Sequence, residues 1–324
     1  VSAIANTYTR YDAIGIREAL SDVIYNISPE DTPVVSNGGR ETVKNTFFEW
    51  QTDSLATASS TNAQIDGDDI TSFTAVTPTV RLGNYTQISR KDLIISGTLE
   101  ATDRAGRKSE LSYQMAKRSA ELKRDMEANI TANIAAAAGS TSVSRKTGTL
   151  LGFIKTNTSK ATVGTAGVDP VYTTIPTGTR TDGTQRQLTE TLIKTVAQSL
   201  WTNGGSLKMA VMGGLIKQKF STLAGIATNR FDVKGNKPVS IIGAADLYVS
   251  DFGNLSIVPD RFCRVRDILF LDPEMYSICY LRPFQTVELA KTGDAEKRML
   301  LVEWGLKVKN EQGLGGVFDI DGAL

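Results

Sequence analysis

Apolar positions first recur at helical spacing at Leu20, Val23, Ile24 and Ile27, in a short amphipathic segment from Ile14 to Ile27 that Ser28-Pro29 stops. The chain on both sides of it is expected to be extended. From Phe47 to Ile88 the pattern changes. Apolar patches at Phe47-Phe48-Glu49-Trp50 and Val80-Arg81-Leu82-Gly83-Asn84-Tyr85 enclose a middle rich in Ser, Thr and Asp. This predicts a long two-stranded excursion. Its few large apolar side chains cannot bury a core of their own, so partner subunits are expected to order it.

One long helix is predicted from Lys108 to Ala138, roughly 46 Å at about 1.5 Å per residue, with Gly139 closing it. At about 100° per residue, Leu111, Met115, Leu122, Met126 and Ile130 share one face, and Glu110, Lys117, Glu121 and Arg124 lie opposite. Lys117, Arg118, Lys123 and Arg124 interleave with Glu110, Glu121, Asp125 and Glu127, which reads as a solvated, ion-paired face rather than a nucleic-acid surface. Ser140 to Gln185 is crowded with Thr, Gly and Ser around one apolar island, Leu150-Leu151-Gly152-Phe153-Ile154, and predicts loops and short strands. Helical spacing returns at Leu188, Leu192, Ile193, Val196 and Leu200. A buried strand follows at Lys208 to Met212, then a short helix carrying Leu215, Ile216, Phe220 and Leu223. Strands are expected at Ser240 to Ile242, Asp246 to Val249, Leu255 to Val258, Ile268 to Leu271 and Tyr276 to Leu281. The chain closes with a hairpin, Thr286 to Ala290 and Met299 to Lys309. There Val302, Trp304, Leu306 and Val308 alternate with Glu303, Gly305, Lys307 and Lys309, so one face should be buried.

Composition changes this picture little: 324 residues, 40% hydrophobic and 22% charged, are ordinary globular material for about two domain-sized cores. A formal charge of +1 leaves no chain-wide electrostatic footprint for nucleic acid. There is no apolar run of eighteen residues and no signal-like start, so a soluble, unsecreted protein without a membrane partner is expected. Cys263 and Cys279 have no CxxC context and read as reduced, partly buried thiols.

Candidate chemistry is mostly removed. Histidine is absent, which excludes Ser-His-Asp and Cys-His catalysis and imidazole metal ligation. No SxxK, GxxxxGK[ST] or GxGxxG occurs, and Asp66-Gly67-Asp68-Asp69 lacks the order of a calcium loop, so no metal or cofactor is expected. A hydrolase working through carboxylates alone is a remote alternative. It would need a cleft with two converging acids of separated pKa.

The order of parts (short arm, long extended excursion, one long helix, compact mixed domain, returning hairpin) resembles the Hong Kong 97-like major capsid fold of tailed phages, an α+β class. Tyr8-Thr9-Arg10-Tyr11-Asp12-Ala13-Ile14-Gly15-Ile16-Arg17-Glu18-Ala19-Leu20-Ser21-Asp22-Val23-Ile24-Tyr25-Asn26-Ile27-Ser28-Pro29, followed by Asp31-Thr32-Pro33, is similar to the opening of a major head protein group of short-tailed phages. The quotable likeness spans about residues 8 to 135, and the remainder matches by architecture. The resemblance implies an N-terminal arm (1–40), an extended β-hairpin loop (41–90), a peripheral domain with a spine helix (91–150 and 283–324) and an axial domain (151–282).

The resemblance further implies a structural, non-enzymatic subunit. It would assemble as hexamers and pentamers into an icosahedral head around double-stranded DNA, touched weakly and nonspecifically by scattered Lys and Arg. Portal and scaffolding or decoration proteins would be its partners, in the virion and, during assembly, in the host cytoplasm. Expected inter-subunit contacts are Leu20, Val23 and Ile24 in the arm and Phe47, Phe48, Trp50, Asp66, Asp68, Asp69, Phe73 and Tyr85 in the excursion. Some members crosslink subunits through a lysine on the extended loop. No lysine lies between Lys44 and Lys91 here, so no crosslinked subunit ladder is expected from boiled particles. Many relatives begin with a scaffolding segment. Only seven residues precede Tyr8, so scaffold is expected to be separately encoded or already removed. The alternatives are an encapsulin-like shell enclosing protein cargo and a monomeric tail or fibre module. The latter would have to satisfy the excursion within one chain.

Overall fold

The computed structural model describes residues 31–67, 69–70, 73–102, 108–167, 179–223 and 247–321. The expected helix from Ile14 to Ile27, with Leu20, Val23 and Ile24, lies outside the described residues, as do Asp68 and the strand expected at Ser240 to Ile242.

A one-turn helix α1 (Pro33–Asn37) starts on proline, where a missing amide has no intrahelical partner to lose. Strands β1 (Gly39–Thr42), β2 (Phe47–Thr52), β3 (Val80–Tyr85) and β4 (Gln87–Ser96) follow, then α2 (Gly97–Ala101) and the long α3 (Glu110–Thr131). Ser96 and Ser109 cap these two helices, each hydroxyl accepting a first-turn amide. After them come α4 (Leu150–Phe153), β5 (Asn157–Ser159), α5 (Glu190–Thr202), β6 (Met209–Met212) and α6 (Gly214–Ser221). The last strands are β7 (Leu247–Ser250), β8 (Gly253–Pro259), β9 (Ile268–Leu271), β10 (Tyr276–Glu288), β11 (Ala295–Val308) and β12 (Gly315–Val317).

Three sheets form among the described residues: β1-β10-β11-β4, β5-β12-β9-β6-β8-β7, and the pair β2-β3. The six-stranded sheet separates two apolar clusters. Met209, Val211, Leu269 and Leu271 point to the one that holds Leu122, Met126 and Ile130 of α3 and Val302, Trp304 and Leu306 of β11. Ala210, Met212, Ile268 and Phe270 point to the other, with Ile193, Val196 and Leu200 of α5 and Ile216 and Phe220 of α6. Burial on both faces explains why β6 and β9 read as unbroken apolar runs rather than alternating ones.

Several expectations change. The long helix stops at Thr131, not Ala138, and the residues at and after its end bond to partners remote in sequence. Thr131 Oγ1 donates to the Phe262 carbonyl at 3.1 Å, Asn133 Nδ2 to the Arg180 carbonyl at 2.8 Å, and Ile134 N–H to Thr149 Oγ1 at 3.2 Å. Gly139, with φ +75°, sits instead in the turn where Ser140 N–H meets the Val143 carbonyl. Glu110 and Glu127, expected on a wet face, are buried, since α2 and α1 respectively cover them. The island at Leu150 forms a helical turn, wholly buried.

In β11 both faces are covered from Leu300 to Leu306, because the Phe48 ring lies on Gly305 and Arg145 on Glu303. β10 spans residues 282 and 283, with register shifts against β11 between Tyr280 and Arg282 and between Arg282 and Gln285; β1 joins β10 in parallel, and the C-terminal β12 pairs with β5 and β9 in the other sheet.

Candidate functional site

The excursion is rooted by the β2-β3 pair, in register from Phe47 opposite Tyr85 to Thr52 opposite Val80. Two strand glycines make that root possible. A Cβ on Gly83 would lie 2.4 Å from the Phe47 ring, and one on Gly305 would lie 2.6 Å from Phe48. Phe47 packs on Tyr85 with ring centroids 5.0 Å apart, and Phe48 stacks on Trp50 at 5.8 Å.

A polar lock lies beneath. Asn84, fully buried, donates to the carbonyls of Leu306 (2.6 Å) and Gly148 (3.2 Å) and to Thr147 Oγ1 (3.1 Å), while its Oδ1 accepts Gly148 N–H at 2.8 Å. Buried Glu303 accepts from Thr86 Oγ1 (3.1 Å), from Arg282 Nε (2.7 Å) and from Arg145. Arg145 Nε also donates to the Thr86 carbonyl at 2.5 Å. Sequence reasoning missed this lock. Its one local signal was Asn84 among apolar residues of a strand.

Beyond the root, the described residues from 53 to 79 are all exposed. Leu55, Phe73 and Val76 are 99%, 89% and 92% exposed, and Ile65 and Ile70 are also bare. Asp66 and Asp69 stand on this stretch, and the sequence carries no Lys or Arg from 45 to 80. The seven expected contact residues that fall among the described residues therefore divide. Phe73, Asp66 and Asp69 are on the surface, Phe47 and Tyr85 are half-buried at the root, and Phe48 and Trp50 lie in their own subunit's core. Burial in that core takes Phe48 and Trp50 out of the surface that this chain presents.

A second cluster of charge has a buried centre, Arg180, Asp267 and Asp319, with Asp182 exposed at its edge and Arg264 and Arg266 partly buried. Arg180 reaches Asp182 at 2.6 Å, Asp319 at 2.8 Å and Asp267 at 3.7 Å, and its guanidinium lies 4.4 Å from the centre of the Phe318 ring. Arg266 pairs with Asp319 at 3.0 Å, and Arg264 with Asp267 at 2.9 Å and with Asp182. Burial pushes Asp267 up to about 6 against the pull of Arg264 and Arg180. Burial acts on Asp319 too, but the Gly183 amide and Arg180 outweigh it and hold that carboxyl below the usual range.

These are two acids of separated acidity, the pattern that a carboxylate hydrolase would use. Both are 0% exposed, so no substrate reaches them. Cys263 and Cys279 are free and buried. Among the described residues no group of three His, Cys, Asp or Glu side chains is placed to hold a metal, and no helix is long and apolar enough to cross a membrane.

A buried body with a long bare excursion on a two-stranded root, one long helix and two mixed sheets defines the Hong Kong 97-like class of capsid subunits. The capsid subunit of cyanophage A-1(L) superposes with a TM-score of 0.65 at 13% identity, covering 94% of this chain and 97% of that one. The SrpI encapsulin of Synechococcus elongatus gives a TM-score of 0.56 at 8% identity, over 95% and 94% of the two chains. The major capsid protein of Escherichia phage Phieco32 is 40% identical over 120 residues, which is 37% of this chain and about a third (34%) of that protein's length. Residues 3–321 match the family described as SU10 major capsid protein, and the chain belongs to that family of structural capsid proteins.

Proposed function

We propose that the chain builds a closed icosahedral phage head from hexameric and pentameric capsomers, and that residues 53–79 bind a second copy. One observation carries this reading. A stretch bearing Leu55, Ile65, Ile70, Phe73 and Val76 leaves them bare on a subunit whose other large apolar side chains are mostly buried. Large apolar side chains left exposed along one stretch in this way mark an interaction site. The loop is acidic, with Asp53, Asp66, Asp68 and Asp69 and no cation. An open groove of about 420 Å³, lined by Ile88, Ala138 and Val143 among others, offers apolar walls for the loop's bare apolar side chains. In this reading Phe48 and Trp50 anchor the loop's root, while Leu20, Val23 and Ile24 act from the arm.

The shell encloses double-stranded DNA through weak, nonspecific contacts and works with portal and scaffolding or decoration proteins. It assembles in the host cytoplasm and persists in the virion. The lysine-free loop supports a shell without covalent crosslinks. Electron microscopy with mass analysis tests the proposal on the protein expressed alone and with its neighbouring phage genes. Closed particles or capsomers are expected, and a strict monomer under both conditions would overturn it. The encapsulin likeness favours a second reading, a shell around protein cargo. Native particles should contain genome-length DNA, and protein cargo in its place would support that second reading.

A further inference from the structure

Glu127 lies in the C-terminal half of α3, wholly buried, and its two carboxylate oxygens take the amides of successive residues of α1. Val34 N–H donates to Oε1 and Val35 N–H to Oε2, each at 2.7 Å. From the opposite side, the Tyr276 hydroxyl of β10 donates to the Val34 carbonyl at 3.0 Å. α1 has only five residues, so these bonds, with buried Val34 and Val35, are what hold it against α3 and β10.

The titratable groups around the carboxyl are Asp260, after β8, and Tyr276; α1 contributes none. Among the described residues no Lys or Arg pairs with it, and nearby Arg124 lies over the Phe262 ring at 5.6 Å instead. Glu127 is thus a buried, uncompensated acid at the contact between two elements more than ninety positions apart.

We propose that Glu127 is a positioning residue for α1 through a proton-coupled contact: α1 docks with uptake of a proton and loosens as that proton is lost. Burial pushes the docked carboxyl up to about 7 although the Val34 and Val35 amides favour its charge, and Asp260 adds to the rise. If α1 swings away, water reaches the carboxyl and its pKa returns towards the ordinary 4.5. A group that binds its proton more tightly when docked favours docking at low pH. That advantage is full below 4.5 and is lost as pH rises to about 7. Above this window the charge is held by two amides and, among the described residues, by no cation.

Hydrogen exchange at the Val34 and Val35 amides of the full chain, corrected for intrinsic rates, reads the opening of α1 directly. Protection should fall by about fiftyfold between about pH 5 and pH 8. Glu127→Gln should abolish that slope, and Asp260→Asn should move its midpoint to lower pH. Equal corrected protection at both pH values in the unaltered protein would overturn the proposal, as would an unaltered slope in Glu127→Gln. Should Glu127→Gln fail to fold, Asp260→Asn decides, and an unmoved midpoint sinks the idea. The signal is local to one subunit, so it succeeds or fails independently of whether shells form.

Discussion

The excursion and the arginine hub use overlapping residue types and finish in opposite environments. Asp66 and Asp69 are exposed on a stretch held at one two-stranded root. Asp267 and Asp319 are fully buried where segments around residues 161, 180–183, 264–267 and 319 converge. The difference lies in how many segments reach each charge. A carboxylate touched by one loop has its role set by whatever lies outside the subunit. One touched by several segments specifies how the subunit itself is closed, and there each charge requires the others.

The largest effect should come from removing the hub's central cation. Arg180→Met keeps the volume but leaves Asp182, Asp267 and Asp319 short of positive charge. Breaking a buried pair in this way costs about 3–5 kcal/mol. Soluble yield and thermal unfolding of the subunit measure it, and a loss under about 1 kcal/mol would erase the contrast with the excursion.

Next, the two buried acids should respond differently. Asp319 has a lowered pKa, so its contribution is present above the unfolded value of 3.8 and is lost as pH falls. Asp267 is raised to about 6, so its folded state is favoured below 3.8 and loses ground as pH rises through 6. Asp319→Asn should therefore destabilise more than Asp267→Asn near neutral pH, and the gap should narrow as the solution is acidified. Chemical denaturation of both variants across that range checks the sign.

What was readable in sequence follows the same division. Alternation in β11 and the apolar runs of β6 and β9 report burial by immediate neighbours, and they placed strands and helices correctly along most of the described chain. The excursion was legible for the converse reason, since its middle has too few large apolar side chains to close on itself. The hub was not legible: Arg180-x-Asp182 and Arg264-Val265-Arg266-Asp267 look like ordinary surface charge until Asp319 arrives from the far end of the chain. Glu127 misled for a related reason. On a helix of mixed charge it resembles its solvated neighbours, and only α1 covering that side turns it inward.

The root of the excursion is intermediate between the two regions, and so should be its response. Asn84→Ala removes a side chain that holds Thr147, Gly148 and Leu306 around the loop's base. Leaving those buried groups unsatisfied costs about 1–3 kcal/mol. Because the root is continuous with the core, the subunit's unfolding midpoint should fall and the excursion should also splay, which would lower particle yield.

The smallest effect on the subunit should come from the loop itself. Phe73→Ser alters a side chain that is 89% exposed, so folding stability should stay within about 0.5 kcal/mol of the parent. Particle assembly should drop if that ring seats in a neighbour. Asp66, Asp68 and Asp69 changed together to Asn should mainly alter the salt tolerance of particles. Proteolysis separates the two contributions. With no Lys or Arg from 45 to 80, the loop offers trypsin no site, whereas Leu55 and Phe73 suit chymotrypsin. Free subunits should be cut there and assembled ones protected. Equal cutting in both states would mean that the loop stays bare in the shell, and the contrast between a charge answered from within and one answered from outside would fail at its outer end.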